Sequence, residues 1–358
     1  MIAKSIVVSL GIIVAVGFSI GPVERGNLEE VFSRFLRGEA SEKEALFIKA
    51  LVNEIDGKVP TYMKLFARGI LFEKRGDLKR AIESYLSSIK LKPDYNPSYF
   101  RFNELIRKVD GADAYRDELT TVLRERFSKT PSVILTNPRT KYVLIVEKMS
   151  QYLMIYKGKE LVGLYPVTTG KNWEDKWREG DKRTPEGVYY FTRFIPPSQL
   201  SDFYGGIAVA LNYPNPVDRL LGKGGSGIWL HGSKTGDRNR IPFSTRGCVV
   251  AGNPDLRKIV KSISLKNTLI GIYKEVPEKL RLDDVVGFIE SWRRSWEDKD
   301  VERYLSHYSR KFQWRGGGLE EWERYKRRVI LGKKFIKVSV EDLTVLAFRR
   351  VLSDEVEY

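Results

Sequence analysis

The chain begins with an unbroken apolar stretch and continues into segments whose apolar residues recur at helical spacing. Residues 5–20 are apolar or small, Lys4 precedes them and Gly21-Pro22 follows. This pattern is typical of a signal peptide or of a short anchor, although its core is shorter than the roughly 20 residues of a comfortable membrane span. We therefore expect residues 1–22 to be an export signal or an anchor. The alternative, a buried N-terminal helix, is disfavoured because the segment has no polar face.

Residues 27–128 carry the pattern of a helical region. Asn27 is an expected helix N-cap, and Ser41 with Glu44 has the spacing of a capping box. An apolar stripe at helical spacing follows that box and is made by Ala45, Leu46, Ile48, Leu51, Val52 and Ile55. The stripe predicts an amphipathic helix that packs against its neighbours.

Residues 62–93 resemble one tetratricopeptide repeat, because small and aromatic residues fall at the offsets of that repeat: Gly69, Phe72, Gly76, Ala81, Tyr85 and Pro93. In this resemblance the small residues let two helices approach, and Tyr85 fills the groove between them. A single repeat cannot bury its faces alone, so flanking helices, including residues 97–127, are expected to complete it. Two interpretations stay open: the region binds a protein partner, or it is a packing or self-association module.

From residue 140 onward the pattern changes to short strands. Residues 129–139 contain two proline breakers and are expected to be a linker. Strands are expected at residues 142–147, 152–156, 161–168, 188–194, 228–230 and 267–273. Residues 140–275 are therefore expected to form a mostly-β sandwich. Asn253 as N-cap and Pro254 as first helical residue predict a short helix over residues 255–262.

One segment of this β region, residues 196–227, looks long and irregular. Long segments without regular structure tend to be functional or disordered. Because it leads directly into the strand 228–230, we expect a lid or a wall over a site, and we expect deletion of residues 218–224 to leave the fold intact and to abolish turnover.

The C-terminal residues 281–358 return to a helical pattern and then alternate. Residues 282–312 carry one stripe of Val285, Ile289, Trp292 and Trp296, residues 319–330 predict a further helix, and residues 335–348 alternate like strands. Aromatic residues at this spacing are more often core than ligand site, and His307 among them is expected to be structural. The tail resembles the start of a nuclear-transport-factor-2-like (NTF2-like) α+β cone. That fold continues into further strands, so we expect the domain to be incomplete or its sheet to be completed by something else.

Charge and composition narrow the function classes. The formal net charge of +16 indicates an anionic partner. Nucleic acid is disfavoured because the basic residues are spread along the chain without a nucleic-acid motif. One cysteine and two distant histidines lack metal-ligand spacing, and no glycine loop that would cradle a phosphate is present. We therefore expect neither a metal nor another cofactor.

The chemistry of the chain is expected to centre on Cys248, its only cysteine, and His231, one of two histidines. A thiolate is a strong nucleophile, and a neighbouring imidazole can take the proton of the thiol. The backbone amides of Gly247 and Cys248 are expected to point at a developing oxyanion, and the Gly232 carbonyl is expected to hold the other nitrogen of His231. On spacing alone a structural alternative remains, because a lone cysteine is often a small buried hydrophobe and a lone histidine a satisfied polar group.

These residues carry a family resemblance. His231-Gly232 followed by Ser244-Thr245-Arg246-Gly247-Cys248-Val249 resembles the signature of the L,D-transpeptidase (YkuD) family. Arg183-Thr184-Pro185-Glu186-Gly187 is similar to a Thr-Pro-x-Gly turn of the same family, and the resemblance extends over residues 141–274. Arg246 replaces a frequent histidine, and Val250 replaces a frequent arginine or asparagine. Both departures affect the choice of substrate more than the nucleophile or the base.

The resemblance implies a fold, an activity and a place in the cell. Cys248 would be the nucleophile and His231 the general base and acid, while Gly247, Arg246 and Ser244 would bind the oxyanion or the substrate. Residues 237–240, rich in arginine, are either a steering site for a carboxylate or a solvated loop. The substrate would be peptidoglycan, at the bond between diaminopimelate and D-alanine of a stem tetrapeptide. The protein would act in the cell envelope or periplasm, exported or anchored at its N-terminus.

Three functions remain open at this point. An amine acceptor makes the enzyme a transpeptidase, and water makes it an L,D-carboxypeptidase that leaves a tripeptide. The order of helical region, catalytic domain and cone-like tail resembles cell-shape L,D-carboxypeptidases of helical Gram-negative bacteria. A non-catalytic scaffold that binds the cell wall is the third possibility.

Overall fold

The structure is a computed structural model, and it describes residues 31, 34–36, 38–53, 59–111, 113–236, 241–277, 284–310, 312, 314, 317–348, 350–352 and 355–357. Four expectations lie outside these residues: the signal or anchor at residues 1–22, the N-cap Asn27, the place of Ile55 in the apolar stripe and the arginine-rich segment 237–240. Within the described part of the chain, none of the helices has the length and apolarity needed to cross a membrane.

The helices of the helical region pack around one apolar core. Its helices are α1 (Glu42–Asn53), α2 (Thr61–Lys74), α3 (Leu78–Leu91), α4 (Asn96–Ile106) and α5 (Asp113–Ser128). The expected capping box precedes α1: the Ser41 amide donates to Glu44 Oε2 at 2.7 Å, and the Glu44 amide donates to Ser41 Oγ at 3.3 Å. Helices α2 and α3 approach closely at Gly69. A Cβ atom added there would lie only 2.5 Å from the Tyr85 ring, so the approach requires a glycine. The packing expected from Gly69 and Tyr85 is therefore present.

The β domain closes on itself. Its strands are β2 (Tyr142–Glu147), β3 (Tyr152–Lys157), β4 (Glu160–Thr168), β5 (Gly187–Phe194), β6 (Ala208–Leu211), β7 (Trp229–His231), β8 (Val249–Ala251) and β9 (Leu269–Tyr273). They form a closed barrel in the order β2-β3-β4-β8-β7-β6-β5-β9, in which β2 pairs with β9 and β7 pairs with β8 in parallel. The mostly-β class is confirmed, and the closure of the ladder is a feature that the sequence pattern does not specify. The helix predicted after Pro254 is α7 (Asn253–Ile259), which continues as a 3-10 turn to Ser262.

Alternation along the strands gives the barrel two distinct faces. The interior is filled by one apolar cluster that includes Leu144, Leu153, Leu230, Val249 and Ile270. The outward residues of β2 and β3 join the core of the helical region, through side chains such as Val143, Ile145, Met154 and Tyr156. The helical region therefore covers the outer side of β2 and β3.

Two sequence expectations around the barrel were wrong. Residues 196–227 are not irregular: they contain two 3-10 turns, the strand β6 and the helix α6 (Pro216–Leu220). Lys223 in this segment is fully buried and lies 2.6 Å from Asp175 Oδ2. Deletion of residues 218–224 would remove the ion pair between Lys223 and Asp175, so the deletion is not expected to leave the fold intact. Residues 129–139 are not only a linker, because Ile134–Thr136 forms β1.

The C-terminal region packs around aromatic side chains. Its elements are α8 (Val285–Glu297), α9 (Val301–Leu305), α10 (Leu319–Leu331), β10 (Val345–Leu346), β11 (Arg350–Leu352) and β12 (Glu355–Glu357). The alternating pattern of residues 335–348 predicts more strand than the structure has. In this range only Val345–Leu346 forms a strand, and that strand pairs with β1. His307 lies beside a pocket of about 340 Å³. Its ring nitrogens contact the Arg303 carbonyl at 2.6 Å and Ser291 Oγ at 3.0 Å, contacts that suit a structural histidine.

Candidate active site

His231 and Cys248 are brought together by two neighbouring parallel strands. In the β7–β8 ladder, Leu230 pairs with Val249 and His231 pairs with Val250. Leu230 and Val249 both point into the interior core of the barrel. Because successive side chains of a strand alternate between faces, His231 and Cys248 both lie on the opposite, outer face. The two residues singled out in the sequence therefore share one side of the barrel.

The ring of His231 is held in one orientation. The side chain is only 3% exposed. Its Nδ1 lies 2.7 Å from the Gly232 carbonyl oxygen, which is the contact expected from the sequence. Because a carbonyl oxygen only accepts, Nδ1 carries the proton and Nε2 has the lone pair. The Tyr204 ring meets the imidazole edge-on with centroids 4.9 Å apart, which fixes the plane of the ring.

The segment that follows His231 is clamped by the protein. The Gly232 amide donates to the Tyr204 carbonyl at 3.1 Å and to the Ile207 carbonyl at 3.2 Å. The Asn253 side chain accepts from the Ser233 amide at 2.9 Å and donates to the Ser233 carbonyl at 3.0 Å. A Cβ atom at Gly232 would lie 2.2 Å from Asn253 Oδ1, so only glycine fits there. The carbonyl that orients His231 is thus itself fixed by backbone and side-chain contacts.

Cys248 is a free thiol and is partly exposed. Its Sγ lies 3.5 Å from the Gly227 carbonyl, at the end of the segment expected to wall the site. Burial raises the pKa of the thiol, whereas a hydrogen bond from the Trp229 backbone amide and the positive charge of Lys176 lower the pKa. Burial dominates, so the resting state at neutral pH is the thiol, and a base must remove its proton before attack.

The loop before Cys248 corrects one expectation about the oxyanion site. The Gly247 amide donates to Thr245 Oγ1 at 3.0 Å, and Thr245 Oγ1 donates to the Cys248 carbonyl at 2.7 Å. Because an amide has one hydrogen, this contact turns the Gly247 amide away from an incoming carbonyl. Gly247 matters for conformation instead: its φ of +132° suits glycine, and an added Cβ would lie 2.8 Å from the Arg183 carbonyl. The Cys248 amide remains the expected donor.

The other two predicted binding residues lie in different surroundings. The Ser244 hydroxyl donates to the Ile241 carbonyl at 2.7 Å, and its amide donates to Thr168 Oγ1 at 3.3 Å. Ser244 therefore shapes the turn rather than presenting its hydroxyl to a ligand. Arg246 is exposed and lies two residues before Cys248.

Several residues of the site were missed or misread in the sequence. The Thr184 hydroxyl accepts from the Gly170 amide at 2.9 Å and donates to the Gly247 carbonyl at 2.9 Å, so it ties two loops together. Its Thr-Pro-x-Gly context was the available signal. Asn253 was expected to cap α7, but the cap is Gly252 and the side chain holds Ser233 instead. Within the part of the chain that the structure describes, no cluster of His, Cys, Asp and Glu is arranged to hold a metal ion.

Comparisons with known proteins agree with this geometry. Residues 141–272 match the model of the L,D-transpeptidase catalytic domain (YkuD), and residues 284–357 match the model of the Cds6 C-terminal NTF2-like domain. No curated protein matches the chain.

Solved structures are similar to it as well. Bd1075 of Bdellovibrio bacteriovorus is 28% identical, with 61% of this chain and 82% of that chain covered and a TM-score of 0.51. The helical cell shape determining protein Pgp2 of Campylobacter jejuni is 25% identical, with 63% and 81% covered and a TM-score of 0.47. An L,D-transpeptidase of Xylanimonas cellulosilytica is 19% identical, with 38% and 63% covered and a TM-score of 0.27. Two regions of the chain thus match known domain families, residues 141–272 the L,D-transpeptidase catalytic domain and residues 284–357 the Cds6 C-terminal NTF2-like domain.

Proposed function

We propose that this protein is a peptidoglycan L,D-transpeptidase that acts through a cysteine acyl-enzyme on the stem tetrapeptide, at the bond between diaminopimelate and D-alanine. The observation that carries the proposal is that Cys248 and the oriented imidazole of His231 share the outer face of β7 and β8 within a YkuD domain.

The proposed reaction is acyl transfer in two halves. His231 Nε2 takes the proton from Cys248 Sγ, and the thiolate attacks the diaminopimelate carbonyl. The oxyanion that forms is stabilised by the Cys248 amide, an interaction worth about 3 to 4 kcal/mol in comparable sites. When the tetrahedral species collapses, the C–N bond breaks and His231 gives its proton to the departing D-alanine amine. A thioester on Cys248 remains.

The second half of the reaction decides the product. In a transpeptidase, the amine of a second stem peptide attacks the thioester, its proton goes to His231, and the thiol is released as a cross-link forms. Arg246, exposed beside the nucleophile, is proposed to bind a carboxylate of one of the two stem peptides.

A second candidate is an L,D-carboxypeptidase that trims the tetrapeptide to a tripeptide, with water attacking the thioester. It is favoured by the order of domains, since a YkuD domain followed by a Cds6-type NTF2-like domain resembles cell-shape carboxypeptidases. A non-catalytic wall-binding scaffold is the third candidate. For all three we propose location in the cell envelope, in the periplasm, and we propose the helical region as a site for a protein partner or self-association.

One experiment separates these functions. The full chain is incubated with disaccharide tetrapeptide, and the products are followed by mass spectrometry. A cross-linked dimer identifies a transpeptidase, a tripeptide identifies a carboxypeptidase, and neither product identifies a scaffold. Cys248→Ala is expected to abolish both products. His307→Ala, which removes the histidine of the C-terminal region, is the matched control and is expected to retain them.

A further inference from the structure

Lys176 is a buried lysine on the connection between β4 and β5. It is 3% exposed, which is unusual for a lysine and requires compensation of its charge. Its Nζ donates to Asp181 Oδ1 at 2.8 Å and to the Arg178 carbonyl at 2.9 Å. These contacts fix the position of the ammonium group, so the charge acts from one defined place rather than from a mobile side chain.

That place is next to the wall of the candidate active site. A Cβ atom at Gly225 would lie 3.3 Å from Lys176 Cε, so the lysine stem packs directly against residue 225. Two residues further along, the Gly227 carbonyl contacts Cys248 Sγ at 3.5 Å. Lys176 is therefore behind the wall, too buried to touch a substrate and separated from Cys248 by residues 225–227 of that wall.

The other charged groups around Cys248 are arranged differently. His231 lies on the adjacent strand, Arg246 is exposed in the same loop, and the side chain of Arg183 is 3.4 Å from Glu174 Oε2. Among the described residues, Lys176 is the charged side chain whose field lowers the pKa of the Cys248 thiol.

We propose that Lys176 is a positioning residue that stabilises the Cys248 thiolate electrostatically, and that Asp181 limits this effect by partly neutralising the ammonium. The inference deepens the proposed function and rests on it, since a nearby cation makes the thiolate that His231 generates less costly to form. It predicts that two substitutions shift the ionisation of the Cys248 thiol in opposite directions. Removing Lys176 must disfavour the thiolate, whereas removing the charge of Asp181 must favour it. A merely structural role for either residue would not give opposite signs.

The test uses the fact that Cys248 is the only cysteine of the chain. The rate of alkylation by iodoacetamide is measured against pH on the full chain, and its midpoint reports the ionisation of this thiol alone. Lys176→Met is expected to raise the midpoint by about one pH unit, equivalent to about tenfold slower alkylation at neutral pH. Asp181→Asn is expected to lower the midpoint, and Lys176→Arg is expected to restore it. Lys171→Met, an exposed lysine on the same connection, is the matched control and is expected to change the rate by less than about twofold.

The outcomes are decisive in either direction. Shifts of the same sign in Lys176→Met and Asp181→Asn, or a shift in Lys176→Met no larger than in Lys171→Met, would overturn the inference. If Lys176→Met does not fold, Asp181→Asn decides alone, and an unchanged or raised midpoint counts against the proposal. Alkylation needs no peptidoglycan, so a failure of tetrapeptide turnover with these shifts intact would reject the proposed function but not the role of Lys176.

Discussion

The side-chain amide of Asn253 binds the backbone of Ser233 at both ends: Oδ1 accepts from the Ser233 amide at 2.9 Å, and Nδ2 donates to the Ser233 carbonyl at 3.0 Å. This pair joins the start of α7 to the segment that follows β7. Gly232 lies between Ser233 and His231, so the pair fixes the carbonyl that contacts His231 Nδ1 at 2.7 Å. The orientation of the proposed base therefore depends on an asparagine 22 residues away in sequence.

Asn253→Ala tests this dependence. Loss of two hydrogen bonds to a partly buried backbone is expected to lower the free energy of unfolding by about 1 to 3 kcal/mol. It is also expected to reduce turnover of the tetrapeptide, because the Gly232 carbonyl is no longer fixed. Denaturation in urea and product formation by mass spectrometry measure the two effects. Asn267→Ala, at an exposed asparagine bonded to Ser264 Oγ at 3.3 Å, is the control and is expected to change neither. Normal turnover in Asn253→Ala would show that His231 needs no such support.

Gly232→Ala is expected to disrupt the same clamp from the other side. An added Cβ would lie 2.2 Å from Asn253 Oδ1, and the chain must shift to relieve the overlap. We expect a loss of about 1 to 3 kcal/mol in stability together with loss of turnover. The double variant Gly232→Ala/Asn253→Ala removes the overlap, so its loss of stability is expected to be smaller than the sum of the single losses. Additive losses, measured in the same urea series, would contradict a direct contact.

Much of this architecture could be predicted from the sequence, and the exceptions have physical reasons. The capping box of Ser41, the contact of Gly69 with Tyr85 and the pairing of His231 Nδ1 with Gly232 all depend on neighbours within one element or one helix pair. Asn253 was misread because Asn-Pro is a good helix start by local rules, whereas its tertiary partner Ser233 is invisible to them.

The oxyanion site was misread for a local reason, because the hydroxyl that engages the Gly247 amide belongs to Thr245, only two residues earlier. The tail was misread for the same reason as Asn253. The strand Ile134–Thr136 forms only because Val345–Leu346 pairs with it from more than 200 residues away. Local patterns determine elements well, but they do not determine which distant groups those elements meet.

A buried ion pair joins the helical region to the barrel and gives a prediction about stability. Arg126 on α5 makes two bonds to Glu147 on β2, at 2.9 and 3.0 Å, and the Glu147 side chain is fully buried. Glu147 Oε1 also accepts from the Val276 amide at 2.9 Å. Glu147→Gln is expected to lower the free energy of unfolding by about 3 to 5 kcal/mol, because it leaves the Arg126 charge buried without a counter-ion.

Urea denaturation measures the loss of stability in Glu147→Gln, and a variant at a surface ion pair provides the comparison. Glu302→Gln removes the partner of Arg327 on the exposed side of the C-terminal region, where the loss is expected to be much smaller because solvent screens the pair. The double variant Arg126→Met/Glu147→Gln is expected to be more stable than Glu147→Gln alone, since the uncompensated charge is gone. Equal losses in Glu147→Gln and Glu302→Gln would argue that the Arg126–Glu147 pair is solvated.

The last prediction concerns how stability changes at acid pH, and it rests on Asp181. Burial tends to raise the pKa of this carboxyl, but hydrogen bonds from Lys176 and from the backbone amides of Arg178, Trp177 and Arg183 outweigh burial and lower the pKa to about 2. A folded-state pKa below the ordinary value of 3.8 means that the contribution of Asp181 to stability is fully present above that value. The contribution is lost as the pH falls from about 4 towards 2, because the carboxyl then takes up a proton and weakens its bond to Lys176.

Asp181→Asn is therefore expected to be less stable than the parent protein at pH 5, with a difference that shrinks on acidification. Asp202→Asn, an exposed aspartate at a 3-10 turn, is the control for loss of one negative charge. If the difference between Asp181→Asn and the parent stays constant from pH 5 to pH 2, the carboxylate is not what holds Lys176 in place.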